Sequence, residues 1–187
     1  LTYSGNLAKA YETAGHIDEA IPLFEKTLKI GIETFGRDHP KTIALHDNLA
    51  RAYCAVGNFS RSISLYKQLI DNTIQRKGED APDTLTVRED LAYTYAMAGR
   101  NNIAASLLMQ VLEDRTRVLG HDHPDTLAAR NNLIAPFLTT QRPAQAVELL
   151  EDLLKDCLRI LGLEDPLTKT VRENLEAAKR ELEQQED

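Results

Sequence analysis

Two histidines flank an aspartate at His121, Asp122 and His123, and a third precedes a proline at His39. Imidazole and carboxylate are metal ligands, but a metal site needs three or four donors converging at fixed spacing, and no second cluster supplies them. No metal and no cofactor is expected. The thiols of Cys54 and Cys157 are far apart in the chain, and neither has a histidine at a spacing that would serve as its base. A small buried or groove-edge residue is the better reading for Cys54 than a nucleophile. Two separated cysteines, in a chain that opens without a signal-peptide pattern, suit a reducing compartment, so the expected location is cytoplasmic. Arginine recurs at Arg88, Arg130 and Arg172, with His46 in the earlier register. These cations could reach an acidic ligand, but ion pairs to the preceding second helices, where Asp71, Asp114 and Asp156 stand, are the preferred reading. The sequence holds no glycine-rich phosphate loop, no nucleophile elbow and no paired carboxylates outside its repeat pattern, so no catalytic residue is assigned and the chain reads as a non-enzyme.

The elements that position these residues follow from a period. The chain of 187 residues is four blocks of 42 plus 19, and Pro40, Pro82, Pro124 and Pro166 recur at that interval together with Gly36, Gly78, Gly120 and Gly162. Thr42, Thr84, Thr126 and Thr168 keep the register, as do Leu7, Leu49, Leu91, Leu133 and Leu175. Tyr11, Tyr53, Tyr95 and Phe137 follow the leucines by four residues, which puts leucine and aromatic on one helical face. Each block therefore reads as two helices. The first spans residues 2–14, 41–56, 83–98 and 125–140, and Gly15, Gly57 and Gly99 reverse the chain. The second carries apolar residues at helical spacing, and Ala20, Ser62, Ala104 and Ala146 let it approach its neighbours closely. Proline then opens the next first helix, where its missing N–H costs nothing. The boundaries are 1–36, 40–78, 82–120 and 124–162, followed by an unpaired helix at 166–185 whose stripe of Leu167, Val171, Leu175, Ala178 and Leu182 would cover an open end. Block four should be irregular, because Pro136 removes a helical donor and Gln141 replaces the turn glycine; Pro22 should kink the second helix of block one.

Leu7, Tyr11, Gly15, Ala20 and Phe24 form a pattern that resembles the tetratricopeptide repeat. The 42-residue unit, with its GRDHPKT and GHDHPDT loops and its DNLA and RNNL first-helix segments, is similar to the kinesin-light-chain class of that family, which also occurs in bacterial and fungal signalling proteins behind NB-ARC domains. The resemblance implies an all-α solenoid, an α-α superhelix of four helix-turn-helix repeats plus a C-terminal capping helix, forming one domain over residues 1–187. It also implies a concave groove lined by first helices that binds segments of other proteins. By position that groove takes Asn6 and Lys9 from block one, Asp47, Asn48 and Arg51 from block two, Glu89, Asp90 and Tyr93 from block three, Asn131 and Asn132 from block four, and Glu173 and Asn174 from the last helix. Asparagine both donates and accepts, so it can pair with a peptide backbone, and groove contact is preferred to bonds within the array.

Composition narrows the partner. A net charge of -7 and a pI near 5.3 argue against a broad nucleic-acid surface, and no apolar run approaches the roughly 18 residues of a membrane span. The expected partner is a protein or peptide segment, basic or polar in preference to strongly acidic, since the implied lining carries more carboxylates than cations. Two other readings stand beside this interaction scaffold. One is a regulatory or sensor segment of a larger signalling NTPase, consistent with a chain that starts at Leu1 and reads as a piece of a longer protein. The other is a self-assembly scaffold that uses the open end at Leu1, Tyr3 and Leu7. Replacing Asn48 and Asn132 with alanine is expected to weaken binding of a peptide partner while leaving the melting temperature nearly unchanged, as a titration of the double variant beside the parent would show.

Overall fold

The computed structural model describes residues 2–134 and 143–186, and among them it has nine helices and no strand. These are α1 (Thr2–Thr13), α2 (Ile17–Phe35), α3 (Pro40–Ala55), α4 (Phe59–Lys77), α5 (Pro82–Met97), α6 (Asn101–Leu119), α7 (Pro124–Asn132), α8 (Pro143–Ile160) and α9 (Pro166–Glu186). They fall into two compact units, residues 1–100 and 101–187. In the first unit each helix from α1 to α5 packs on its sequence neighbour, and in the second the same holds from α6 to α9. Contacts that stay between sequence neighbours are the mark of a repeat architecture.

The core of the first unit gathers Ala8, Ala20, Phe24, Leu28, Leu49, Ala52 and Tyr53. That of the second gathers Leu127, Ile134, Ala146, Leu150, Leu153 and Cys157 with Val171, Leu175 and Ala178 of α9. Four of the five stripe residues expected in the last helix behave as a cap should: three are buried against α8 and Leu167 packs beside them. The small position is fully buried in every block, at Ala20, Ser62, Ala104 and Ala146. In the leucine ladder Leu49, Leu91 and Leu175 are buried, Leu133 is half-buried and Leu7 is 38% exposed.

Punctuation works through two glycine conformations. Gly57 is left-handed at φ 76°, and the amide of Asn58 reaches back to the carbonyl of Tyr53 at 2.9 Å, which closes α3 as a Schellman turn. Gly78 ends α4 at φ 95° and ψ 166°, a region closed to residues with a Cβ, while its own amide still bonds Ile74. The helix α2 runs through Pro22 as far as Phe35. Phe137, Pro136 and Gln141 lie outside the described residues, as do Leu1 and the side chains of Tyr3 and Asn6.

His39 and His123 turn out to be helix caps. Nδ1 of His39 accepts from the amide of Lys41, and Nδ1 of His123 accepts from the amide of Asp125, both at 3.2 Å, with proline at the first helical position. In the last block Oδ1 of Asp165 does the same for Leu167 at 2.8 Å. Ala81, the equivalent residue of α5, makes no side-chain cap. Asp122, between the two histidines, is held by both terminal nitrogens of Arg159 at 2.9 and 3.1 Å.

Two outcomes are expected. Removing residues 166–187 bares Ala146, Leu150, Leu153 and Cys157, and at about 25 cal/mol per Å2 this costs several kcal/mol, to be read as a lower denaturant midpoint and a loss of solubility. Ala81→Ser supplies the missing cap and should stabilise the chain by about 1 kcal/mol, whereas His123→Ala should destabilise it by a similar amount; urea unfolding of both variants checks the assignment.

Candidate functional site

In the first unit the side chains of α1, α3, α4 and α5 surround an open concavity of about 420 Å3, lined by Glu12, Arg51, Cys54, Ala55, Tyr66, Asp90, Tyr93, Thr94 and Met97. Three of the expected groove residues, Arg51, Asp90 and Tyr93, meet here. The other lining residues of the first helices have a simple relation to them. Residues 9, 51 and 93 share one register, and Glu12, Cys54, Ala55 and Met97 stand three or four positions further on, so they continue the same helical face by one turn. That spacing was legible, and it is the signal by which they could have been found. Tyr66 comes from α4, a second helix, and no first-helix pattern points to it.

The concavity joins an apolar rim to a polar floor. Tyr93 and Met97, four residues apart on α5, are 61% and 53% exposed, a large aromatic and a flexible thioether of the kind that anchors interfaces. At the floor Tyr66 is almost wholly buried and its hydroxyl donates to the Asp47 carboxylate. Burial is the largest influence on Asp47 and pushes its carboxyl up, with Arg51, the Tyr66 hydroxyl and Lys9 acting in the other direction and Glu12 adding to the rise. Asp90 is pushed up to about 6, first by burial and then by the charge of Asp47, with Arg51 opposing. Burial and the two carboxylates also push the Tyr66 phenol up. Burial raises the Cys54 thiol, with the hydrogen bond to Thr94 opposing, and so disfavours the thiolate a nucleophile requires.

The remaining residues of the expected groove are dispersed. Lys9 is exposed and bonded to Glu12 at 2.7 Å. Asn48 and Glu89 are half-buried and stand outside the lining of the concavity. In the second unit Nδ2 of Asn174 donates to Oδ1 of Asn131 at 3.0 Å, joining α9 to α7. Asn132 and Glu173 are exposed, and the side chain of Asn6 is outside the described ones. For the arginine ladder the structure makes a correction at Arg130. Its guanidinium bonds Asp156 of the following second helix, α8, at 2.7 Å, whereas Asp114 of the preceding helix bonds Arg117 within α6. Asp156 also receives Arg159, which extends the network to Asp122. Both arginines hold the Asp156 carboxyl below its ordinary range through these hydrogen bonds.

Two tetratricopeptide-repeat family models match the chain, one over residues 1–75 and the other over 84–125. The chain belongs to the tetratricopeptide repeat family. A search of curated proteins returned no match. Among solved structures, the nearly identical TPR-like repeats assigned to a kinesin light chain of Podosopora anserina are 28% identical with a TM-score of 0.78, and the match covers 100% of this chain and 88% of that one. BtubC (BKLC) from P. vanneervenii is 17% identical with a TM-score of 0.73, over 93% of this chain and 69% of that one. PlcR of Bacillus thuringiensis, solved in complex with a peptide and DNA, is 17% identical with a TM-score of 0.69, over 97% of this chain and 62% of that one. These last two show the fold alone. The chain is a kinesin-light-chain-like TPR array of the all-α solenoid class, a fold consistent with a protein-protein interaction scaffold. Among the described residues no helix is long and apolar enough to cross a membrane, and no group of three or more His, Cys, Asp or Glu is placed to hold a metal.

Proposed function

We propose that this TPR array is a non-catalytic binding module that takes a peptide or an extended segment of a partner protein, and that the concavity on α1, α3 and α5 is its principal contact. The observation that carries this is the combination of an open, half-polar concavity with two large exposed apolar side chains at its rim, Tyr93 and Met97. Exposed aromatic and methionine side chains beside a polar floor give a segment both an apolar anchor and groups for its backbone. The solved PlcR complex, whose chain shares this fold, contains a peptide. A basic or polar segment fits better than an acidic one. Asp90 lines the concavity beside Arg51 and feels the charge of Asp47, and Lys9 is already engaged by Glu12. Asn131 and Asn174 are bonded to each other, which engages both amides within the array.

Panning a random peptide display library on the full chain tests this reading. Peptides enriched in basic residues are expected, and synthetic copies should lose about tenfold or more in affinity on Tyr93→Ala or Met97→Ala, the effect of an anchor worth about 1–2 kcal/mol. Because both side chains are exposed, the melting temperature of each variant should match the parent. Enriched peptides that bind both variants as tightly as the parent would place the contact elsewhere.

A further inference from the structure

Asn131 and Asn174 are 43 residues apart, and the same separation holds between Asp47 and Asp90. In the second unit this register sets a donor against an acceptor, the amide of Asn174 on that of Asn131. In the first unit the equivalent positions of α3 and α5 both carry carboxylates, which when ionised are acceptors only. Their surroundings supply little compensation. From α4 the Tyr66 hydroxyl donates to Asp47, and from α3 the exposed Arg51 attracts both carboxylates. From α1 come Lys9, already paired with Glu12, and Glu12 itself. From α5 Glu89 adds a further negative charge near Asp90. Oδ1 of Asp47 is buried and receives no hydrogen bond. The arrangement lacks one donor.

We propose that in mildly acidic solution Asp47 and Asp90 hold one proton between them, an acid–carboxylate counterpart of the Asn131–Asn174 bond, so that the link between α3 and α5 and the charge of the adjoining concavity are both set by pH. The proton bound to one carboxyl donates to the other, which satisfies the acceptor that no neighbour reaches, and its loss leaves two like charges in a half-buried site. The rise of Asp90 to about 6 agrees with this. The sign of the linkage follows. A carboxyl raised in the folded state gives stability that is fully present below the unfolded value near 4 and lost as pH rises through about 6. Asp122, Glu151 and Asp156 are shifted down by their cationic partners and act in the opposite direction. The readout is therefore a difference between parent and variant. The proposal needs no ligand and stands apart from the peptide reading.

Asp90→Asn restores the residue found at positions 48, 132 and 174 of the same register, and Asp47→Asn removes the other half of the pair. Urea midpoints of the full-length parent and both variants, followed from about pH 4 to 7, should show each variant gaining on the parent as pH rises. In parallel, the carboxyl carbon shifts of the parent should show Asp90 titrating near 6, a signal that is absent from Asp90→Asn and moves down toward the ordinary range in Asp47→Asn. A gap between parent and variants that does not change with pH, or an Asp90 that titrates in Asp47→Asn as it does in the parent, would overturn the proposal. If one variant fails to fold, the parent's carboxyl titration decides alone, and the absence of any raised aspartate overturns it.

Discussion

The fully buried small residue near the start of each second helix is the constraint on which the rest depends. At Ala20, Ser62, Ala104 and Ala146 the side chain is small and fully buried, so the helices can pack closely. Close approach places Phe24, Tyr66, Leu108 and Leu150, four residues on, inside the core. A leucine in place of any of these small residues would push two helices apart, and the error would be passed along a chain in which each helix packs chiefly on its sequence neighbours. Helix pairing is thus decided by a few atoms at one repeated position, and the loops need only return the chain in the correct direction.

Because the loops have that single task, their residues are legible as backbone chemistry, and this explains which parts of the structure the sequence announces. Glycines at 57 and 78 occupy dihedrals that other residues avoid, prolines open first helices, and two of the buried threonines bond nearby carbonyls, Thr42 that of Gly31 at 3.3 Å and Thr84 that of Gly78 at 2.9 Å. What the repeat pattern misses is which group in space meets a given side chain. His39 and His123 were recognisable as loop residues, but their role as acceptors at helix N-termini depends on ring orientation, which spacing does not encode. Arg130 was expected to pair backwards and instead pairs forwards, to Asp156. Asp114 and Asp156 occupy one register on α6 and α8, so periodicity alone cannot choose between the two helices. Competition decides it: Asp114 is taken by Arg117 within its own helix.

The candidate site was legible by the same rule and to the same extent. First-helix register brought Arg51, Asp90 and Tyr93 together, and the same register continued by one turn would have added Glu12, Cys54 and Met97. Tyr66 was out of reach because its ring serves the core while its hydroxyl serves the groove. A residue with one role in packing and another at a site reads from sequence as packing alone, since the apolar pattern is the stronger signal.

Internal repetition supplies a comparison within this one molecule. Positions that hold helices together recur with little change: the threonine in the first helical turn is buried in all four copies, and the small residue is alanine or serine throughout. Several positions facing the concavity differ from copy to copy. The register of Tyr93 holds Lys9 and Arg51, that of Met97 holds Thr13 and Ala55, and that of Cys54 holds Glu12 and Ala96. Packing imposes little on Tyr93 and Met97, which are exposed and can change without disturbing the small-residue contact. A scaffold of this kind separates stability from surface chemistry. Asp90 sits at the border between the two, at a position where the other full blocks and the last helix carry asparagine and where exchanging an amide for an acid removes a donor from a half-buried site. The scaffold bears that loss because the contact lies at the edge of the core, beside the concavity, where a change of protonation state alters the charge of the groove without unpacking a helix.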